Sequence, residues 1–196
     1  MTPREHWGAD ANRPARTRTL TLVAYDPAWP SRFAREAARL RTAIASQVVA
    51  IEHVGSTAIP GMLGKPVLDI AIAVADELAA DACVRPLQSL GYEYRGPYGD
   101  DPRRRYYVLA ADGRPTVHIH LYVLPARAWE EKIAFREALR ANAALAAAYA
   151  VEKLRVADAV AWDKTAYSDA KGPFIVSVLR RISDAGSSTT PIPDGV

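Results

Sequence analysis

The sequence of 196 residues has a single cysteine, Cys83, so no internal disulfide and no multi-cysteine metal site can form. No run approaches the ~18 consecutive apolar residues that a membrane-spanning helix needs. The opening stretch, MTPREHWGADANRPARTRT, lacks the apolar core of a secretory leader. The expectation is therefore a cytoplasmic protein with no membrane partner. Charge of one sign is scarce as well. The net charge is +3, and residues 1–18 supply +2 of it through four Arg set against Glu5 and Asp10. The nearly neutral remainder gives no argument for a nucleic-acid partner. Only Arg103-Arg104-Arg105 could form a basic patch, and such runs are mostly solvated faces.

What is present suits one globular domain. Apolar residues make up 49% and charged residues 24%, an ordinary soluble composition. A chain of this length can bury one sizeable core. Residues 1–18 and 184–196 are rich in Pro, Gly, Ser, Thr and Arg without an apolar period. Both read as mobile tails around a single domain at 19–183.

Periodicity outlines that domain. Phe33, Ala37, Leu40 and Ile44 recur at helical spacing and predict a helix over 30–45. Residues 47–54 and 66–74 read as strands. In the second strand Leu68, Ile70, Ile72 and Val74 share one face, opposite Val67, Asp69, Ala71 and Ala73. Two alanines beside the Asp leave room there for a ligand. Residues 76–90 read as a helix closed by Gly91, with Pro86 as a kink. Strands at 106–110 and 115–124 flank Asp112-Gly113, a strong hairpin signal. In the latter, Val117, Ile119, Leu121 and Val123 alternate with His118, His120 and Tyr122. Residues 127–147 are helical, and more helix follows to about residue 182. This order predicts an α+β domain, a mixed β-sheet with helices packed on it and a C-terminal helical segment.

Few residues carry chemistry. Gly55-Ser56 ends one strand, and Asp69 follows thirteen residues after Ser56. A Gly-Ser turn can bring backbone N–H groups and a hydroxyl close to phosphate oxygens, and a neighbouring carboxylate can hold Mg²⁺ against them. An ordinary turn beside a solvated Asp would use the same residues. His118 and His120 share a strand face, as two imidazoles on one ligand or metal would. A zinc site would need one more ligand, for which Asp69 and Glu52 are candidates. Tyr149, Lys153, Tyr167 and Lys171 lie along the C-terminal helices, where lysines can neutralise phosphate or simply snorkel at the surface. Arg136 and Arg140, four apart, read as surface residues. Ser56 has neither a Ser-x-x-Lys signature nor a nucleophile elbow around it, which sets covalent catalysis aside.

Several blocks together carry a resemblance. YDPAWPSRF, EHVGSTAIPGMLGKPVLDI, LGYEYRG, VHIHLYV, and FREALRANAALAAAYAVEK followed by YSDAKGPFI resemble the GrpB-like family in order and spacing over residues 22–182. That resemblance implies a nucleotidyltransferase-like fold, whose core places a Gly-Ser turn before a strand bearing metal-binding carboxylates. A similar domain is fused to dephospho-CoA kinase in some bacteria, where it looks like a folding accessory. Carried over by position, Gly55 and Ser56 match the phosphate-binding turn and Asp69 matches the first carboxylate. The second carboxylate's position holds Ala71, and the strand matching the third offers His118 and His120.

The resemblance therefore implies a nucleotidyltransferase-like enzyme acting on a nucleotide or phosphate ester and a small-molecule acceptor. Gly55, Ser56, Lys153 and Lys171 would hold phosphates, with Lys65 and Tyr167 as further contacts. Asp69 would hold a metal, and His118 or His120 would take the acceptor's proton. Mg²⁺ on Asp69, a softer metal such as Zn on Asp69 and His120, and no metal all stay open. A non-catalytic nucleotide-binding or protein-folding accessory module is the alternative function. A metallohydrolase built on Asp69, His118 and His120 is the third.

Overall fold

The computed structural model describes residues 19–98 and 101–187, with side chains described to residue 184. Residues 1–18, and residues 188–196 of the tail read from sequence at 184–196, lie outside the described residues. Helix α1 spans Trp29–Ile44, with a proline in its first turn, where a missing N–H costs nothing. It buries Trp29, Ala37, Leu40 and Ile44. Strand β1 covers Val48–Val54 and a single 3-10 turn covers Ser56–Ala58, before β2 at Leu68–Val74.

The segment expected as one kinked helix is two, α2 at Glu77–Ala82 and α3 at Val84–Ser89. Pro86 cannot donate to the carbonyl of Ala82 and its ring crowds that group, so the first helix stops there. Strand β3, Glu93–Pro97, is an exposed edge strand without an apolar alternation, and the sequence reading missed it. β4 (Arg105–Ala111) and β5 (Arg114–Val123) form the expected hairpin, with positive φ at both Asp112 and Gly113.

The helix expected over 127–147 is also divided. Asn142 adopts an extended conformation and its side chain accepts from the Leu145 N–H, ending α4 (Arg127–Ala141) and capping α5 (Ala143–Ala159). α6 spans Lys164–Ala170, and α7, Gly172–Ser187, continues past the boundary expected at 183.

The five strands form one mixed sheet in the order β1-β2-β5-β4-β3. β2 and β5 are parallel, and every other pair is antiparallel. One face carries Leu68, Ile70, Ile72, Ile119 and Leu121 and packs on α1, α2 and α3 as the main core. On the opposite face, α4 covers the middle of β2. Ala71 and Ala73 are fully buried there, and Ala71 sits in a cluster with Tyr122 and Ala126 against which Trp129 packs. The room expected beside the two alanines is therefore filled by aromatic side chains. A third cluster, including Ile59, Phe135, Tyr149 and Ile175, joins α4, α5 and α7 over the 3-10 turn. Among the described residues no helix is long and apolar enough to cross a membrane.

Candidate functional site

The parallel register between β2 and β5 builds the site. Asp69 pairs with His118 and Ala71 with His120, so side chains from alternate positions of both strands project from one face. Nδ1 of His118 donates to Oδ1 of Asp69 at 3.2 Å. Burial alone would raise the Asp69 pKa, but the hydrogen bond from His118 and the nearby His120 ring hold it well below the usual carboxylate range. In neutral imidazole this hydrogen bond fixes the His118 tautomer and leaves Nε2 with its lone pair, the arrangement of an oriented general base.

His120 is held differently. Its Nδ1 accepts from Nη2 of Arg104 at 2.8 Å, and a guanidinium can only donate. The ring proton must then sit on Nε2, which lies 3.9 Å from Oδ1 of Asp69. Burial first, then the nearby charges of Arg104 and Lys132, pull the His120 pKa well below its ordinary value, against the raising effect of Asp69. A neutral imidazole in this tautomer has no lone pair left for a metal. Glu52, the other suggested ligand, is ion-paired to Arg136 at 2.6 Å. Among the described residues no three His, Cys, Asp or Glu side chains are placed to hold a metal ion. The donor set does not fit a zinc centre on Asp69 and His120. Asp69 with the phosphate oxygens of a ligand still suits Mg²⁺, which commonly uses one or two carboxylates and substrate phosphates.

Gly55 is required by the geometry. It has φ +72°, and a Cβ there would lie 2.5 Å from Oδ2 of Asp69. The glycine lets the turn after β1 close onto the carboxylate. The hydroxyl of Ser56, at the start of the 3-10 turn, accepts from Nζ of Lys153 at 2.8 Å. Lys153 also donates to the carbonyl of Leu63 and is 1% exposed. It therefore contradicts the surface reading of its residue type. Burial, then Lys65, brings its pKa down to about 7, against Asp69. Lys171, with its ammonium 4.5 Å over the Tyr167 ring, is likewise lowered by burial and by Lys65 and Lys153.

These groups border a cavity of about 240 Å³ between the sheet and α4–α7. Seven of the nine residues expected from sequence line it: Gly55, Ser56, Lys65, Asp69, His118, His120 and Lys171. Lys153 reaches it through Ser56. Tyr167 does not line it: the ring is 1% exposed and packs with Leu20, Val156 and Ala157 beneath Lys171.

The structure adds basic residues that sequence reasoning set aside. Arg104 and Arg136 are 3% and 7% exposed and both line the cavity, as does Lys132, which the sequence reading did not consider. Arg136 bonds Glu52 at 2.6 Å and the His53 carbonyl at 2.7 Å, tying α4 to β1. The Lys132–Arg136 spacing of four residues on α4 was the available signal, since it puts both on one helix face. Altogether the wall holds seven Lys and Arg side chains against one carboxylate, Asp69. Such a cavity favours a polyanion.

The sequence model of the GrpB protein family matches residues 19–181. The chain belongs to the GrpB family. Among its relatives, UPF0157 protein BH1888 of Halalkalibacterium halodurans is 32% identical over 164 residues, covering 83% of this chain and 82% of that protein. The crystal structure of the conserved protein GrpB from Enterococcus faecalis superposes with a TM-score of 0.75 at 28% identity, over 86% of this chain and 100% of that one. The α+β architecture is thus that of a GrpB protein. A dephospho-CoA kinase of Mycobacterium leprae is 31% identical over 196 residues, covering 86% of this chain but only 47% of the kinase.

Proposed function

We propose that this GrpB protein is a nucleotidyltransferase-like enzyme that acts on a nucleotide or related phosphate ester and a small-molecule acceptor. The observation that carries this reading is the Asp69–His118 pair at the floor of a cavity walled by seven cationic side chains. The Gly55-Ser56 turn and Lys153, with Lys171 and Lys65 beside them, hold the phosphates as hydrogen-bond donors and charges. His118, oriented by Asp69, takes the proton of the acceptor's hydroxyl or amine on Nε2. The freed oxygen or nitrogen forms a bond to the α-phosphorus, and the bond to the pyrophosphate leaving group breaks. Mg²⁺ held by Asp69 would supply charge neutralisation at the phosphate oxygens. Calorimetric titration with each of the common NTPs, with Mg²⁺ present, tests the reading. Heat of binding with at least one, weakened by Asp69→Asn, is expected. No heat with any NTP, or full affinity in Asp69→Asn, overturns it.

A second reading is favoured by Ala71, buried where a second metal-binding carboxylate would stand, and by the similarity to about half of a dephospho-CoA kinase. On that reading the chain is a non-catalytic nucleotide-binding or folding-accessory module. It predicts ligand-induced thermal stabilisation without turnover, and product formation from any nucleotide and acceptor panel excludes it. A metallohydrolase loses its basis with the lone pair of His120 committed to Arg104.

A further inference from the structure

The three consecutive arginines before β4 have different fates. Arg103 is ion-paired to Asp101 at 3.1 Å and Arg105 to Asp81 at 3.0 Å. Arg104 lies between them, 3% exposed, with no carboxylate bonded to it among the described residues. Its contacts are the hydrogen bond to His120 and two ring faces, Tyr98 at 4.7 Å and Tyr122 at 5.0 Å. Nε of the same guanidinium is buried with no hydrogen-bond partner. Burying a guanidinium that no described carboxylate hydrogen-bonds is costly even with Asp101 nearby, and a buried N–H without an acceptor adds to that cost. Arg104 lies in the cavity wall, so an anion entering the cavity can offset its charge.

Sheet order separates this cation from the phosphate-holding group. In the order β1-β2-β5-β4, the Gly55-Ser56 turn leaves β1, while Arg104 enters β4 on the other side of Asp69 and His118. Lys153 and Ser56 thus serve one end of the cavity and Arg104 the other, with the general base between. We infer that Arg104 binds an oxyanion, a carboxylate or phosphate, on the acceptor substrate. This rests on the nucleotidyl-transfer reading above and narrows it, because the acceptor then carries a negative group besides its reacting hydroxyl or amine. The planar guanidinium suits either oxyanion.

The test uses the full chain saturated with whichever NTP binds, titrated separately with inorganic phosphate and with acetate. At least one anion is expected to bind the nucleotide-loaded protein, and which one identifies the acceptor's group. Arg104→Gln should weaken that anion about tenfold or more while changing NTP affinity less than about threefold. Arg104→Lys keeps the charge and should recover part of the loss, which separates recognition from a folding defect. Neither anion binding the loaded wild type overturns the inference, as does Arg104→Gln leaving anion affinity intact or weakening the NTP equally. If no NTP binds, the nucleotidyl reading fails by itself. The anions are then titrated into unliganded protein, where loss of binding in Arg104→Gln upholds the oxyanion site and an unchanged affinity overturns it.

Discussion

Lys153→Met should make the protein more stable at neutral pH while impairing phosphate binding. Lys153 is 1% exposed, and burial, then Lys65, lowers its pKa from 10.5 to about 7 against the opposing effect of Asp69. A base that binds its proton less tightly when folded costs stability wherever it is protonated. That cost is fully present below about pH 7, at roughly 5 kcal/mol, and shrinks by about 1.4 kcal/mol per pH unit up to about pH 10.5. Methionine removes the charge and nearly preserves the stem, but leaves the Leu63 carbonyl without its donor. An unmet acceptor of this kind costs about 1–3 kcal/mol. The variant should therefore exceed wild type by about 2 kcal/mol at about pH 7, match it near pH 9, and fall below it at higher pH. Urea unfolding across that range reads the difference directly. A variant less stable than wild type at neutral pH, or a difference that does not change with pH, would refute the reasoning. So would unaltered nucleotide affinity, since the proposed function gives the buried ammonium the role of holding phosphate.

Gly55→Ala must place a Cβ 2.5 Å from Oδ2 of Asp69 at φ +72°. Equilibrium unfolding should show a loss of at least about 1–3 kcal/mol, and an unchanged midpoint would contradict the close approach. Asp69→Asn removes the charge that orients His118. Nitrogen NMR should show the His118 ring shifting from the Nδ1-protonated tautomer towards a mixture, and an unchanged spectrum would contradict the pairing. Arg136→Met strands Glu52 and the His53 carbonyl between α4 and β1. Its expected cost is about 1–3 kcal/mol in urea unfolding, chiefly from the buried His53 carbonyl, and an unchanged midpoint would show that the tie is dispensable.

The elements nearest the site were legible because their residues alternate strictly. Val117, Ile119, Leu121 and Val123 face the core, which forces His118 and His120 onto the other face in register with Asp69 and Ala71. The Asp112-Gly113 turn fixed the hairpin pairing. What failed depends on distant packing. Nothing local distinguishes Arg104 from its two neighbours, because its burial comes from Tyr98, Tyr122 and His120 closing around it. Lys153 looks like a surface lysine until α5 brings it to a serine 97 residues earlier. The alanines suggested open space only because Tyr122 and α4 were not yet placed over them. Tyr167 shows the converse, an aromatic residue read as a ligand contact that fills a core.

The central claim is that the cavity between the sheet and α4–α7 holds a nucleotide with its phosphates at Ser56 and Lys153. A crystal structure of the protein with a non-hydrolysable NTP and Mg²⁺ tests it most directly. The account predicts phosphate oxygens within hydrogen-bonding distance of Ser56 Oγ, the hydroxyl that Lys153 Nζ donates to, and the α-phosphorus facing Asp69 and His118. A nucleotide bound outside the cavity, or phosphates away from Ser56 and Lys153, would contradict it.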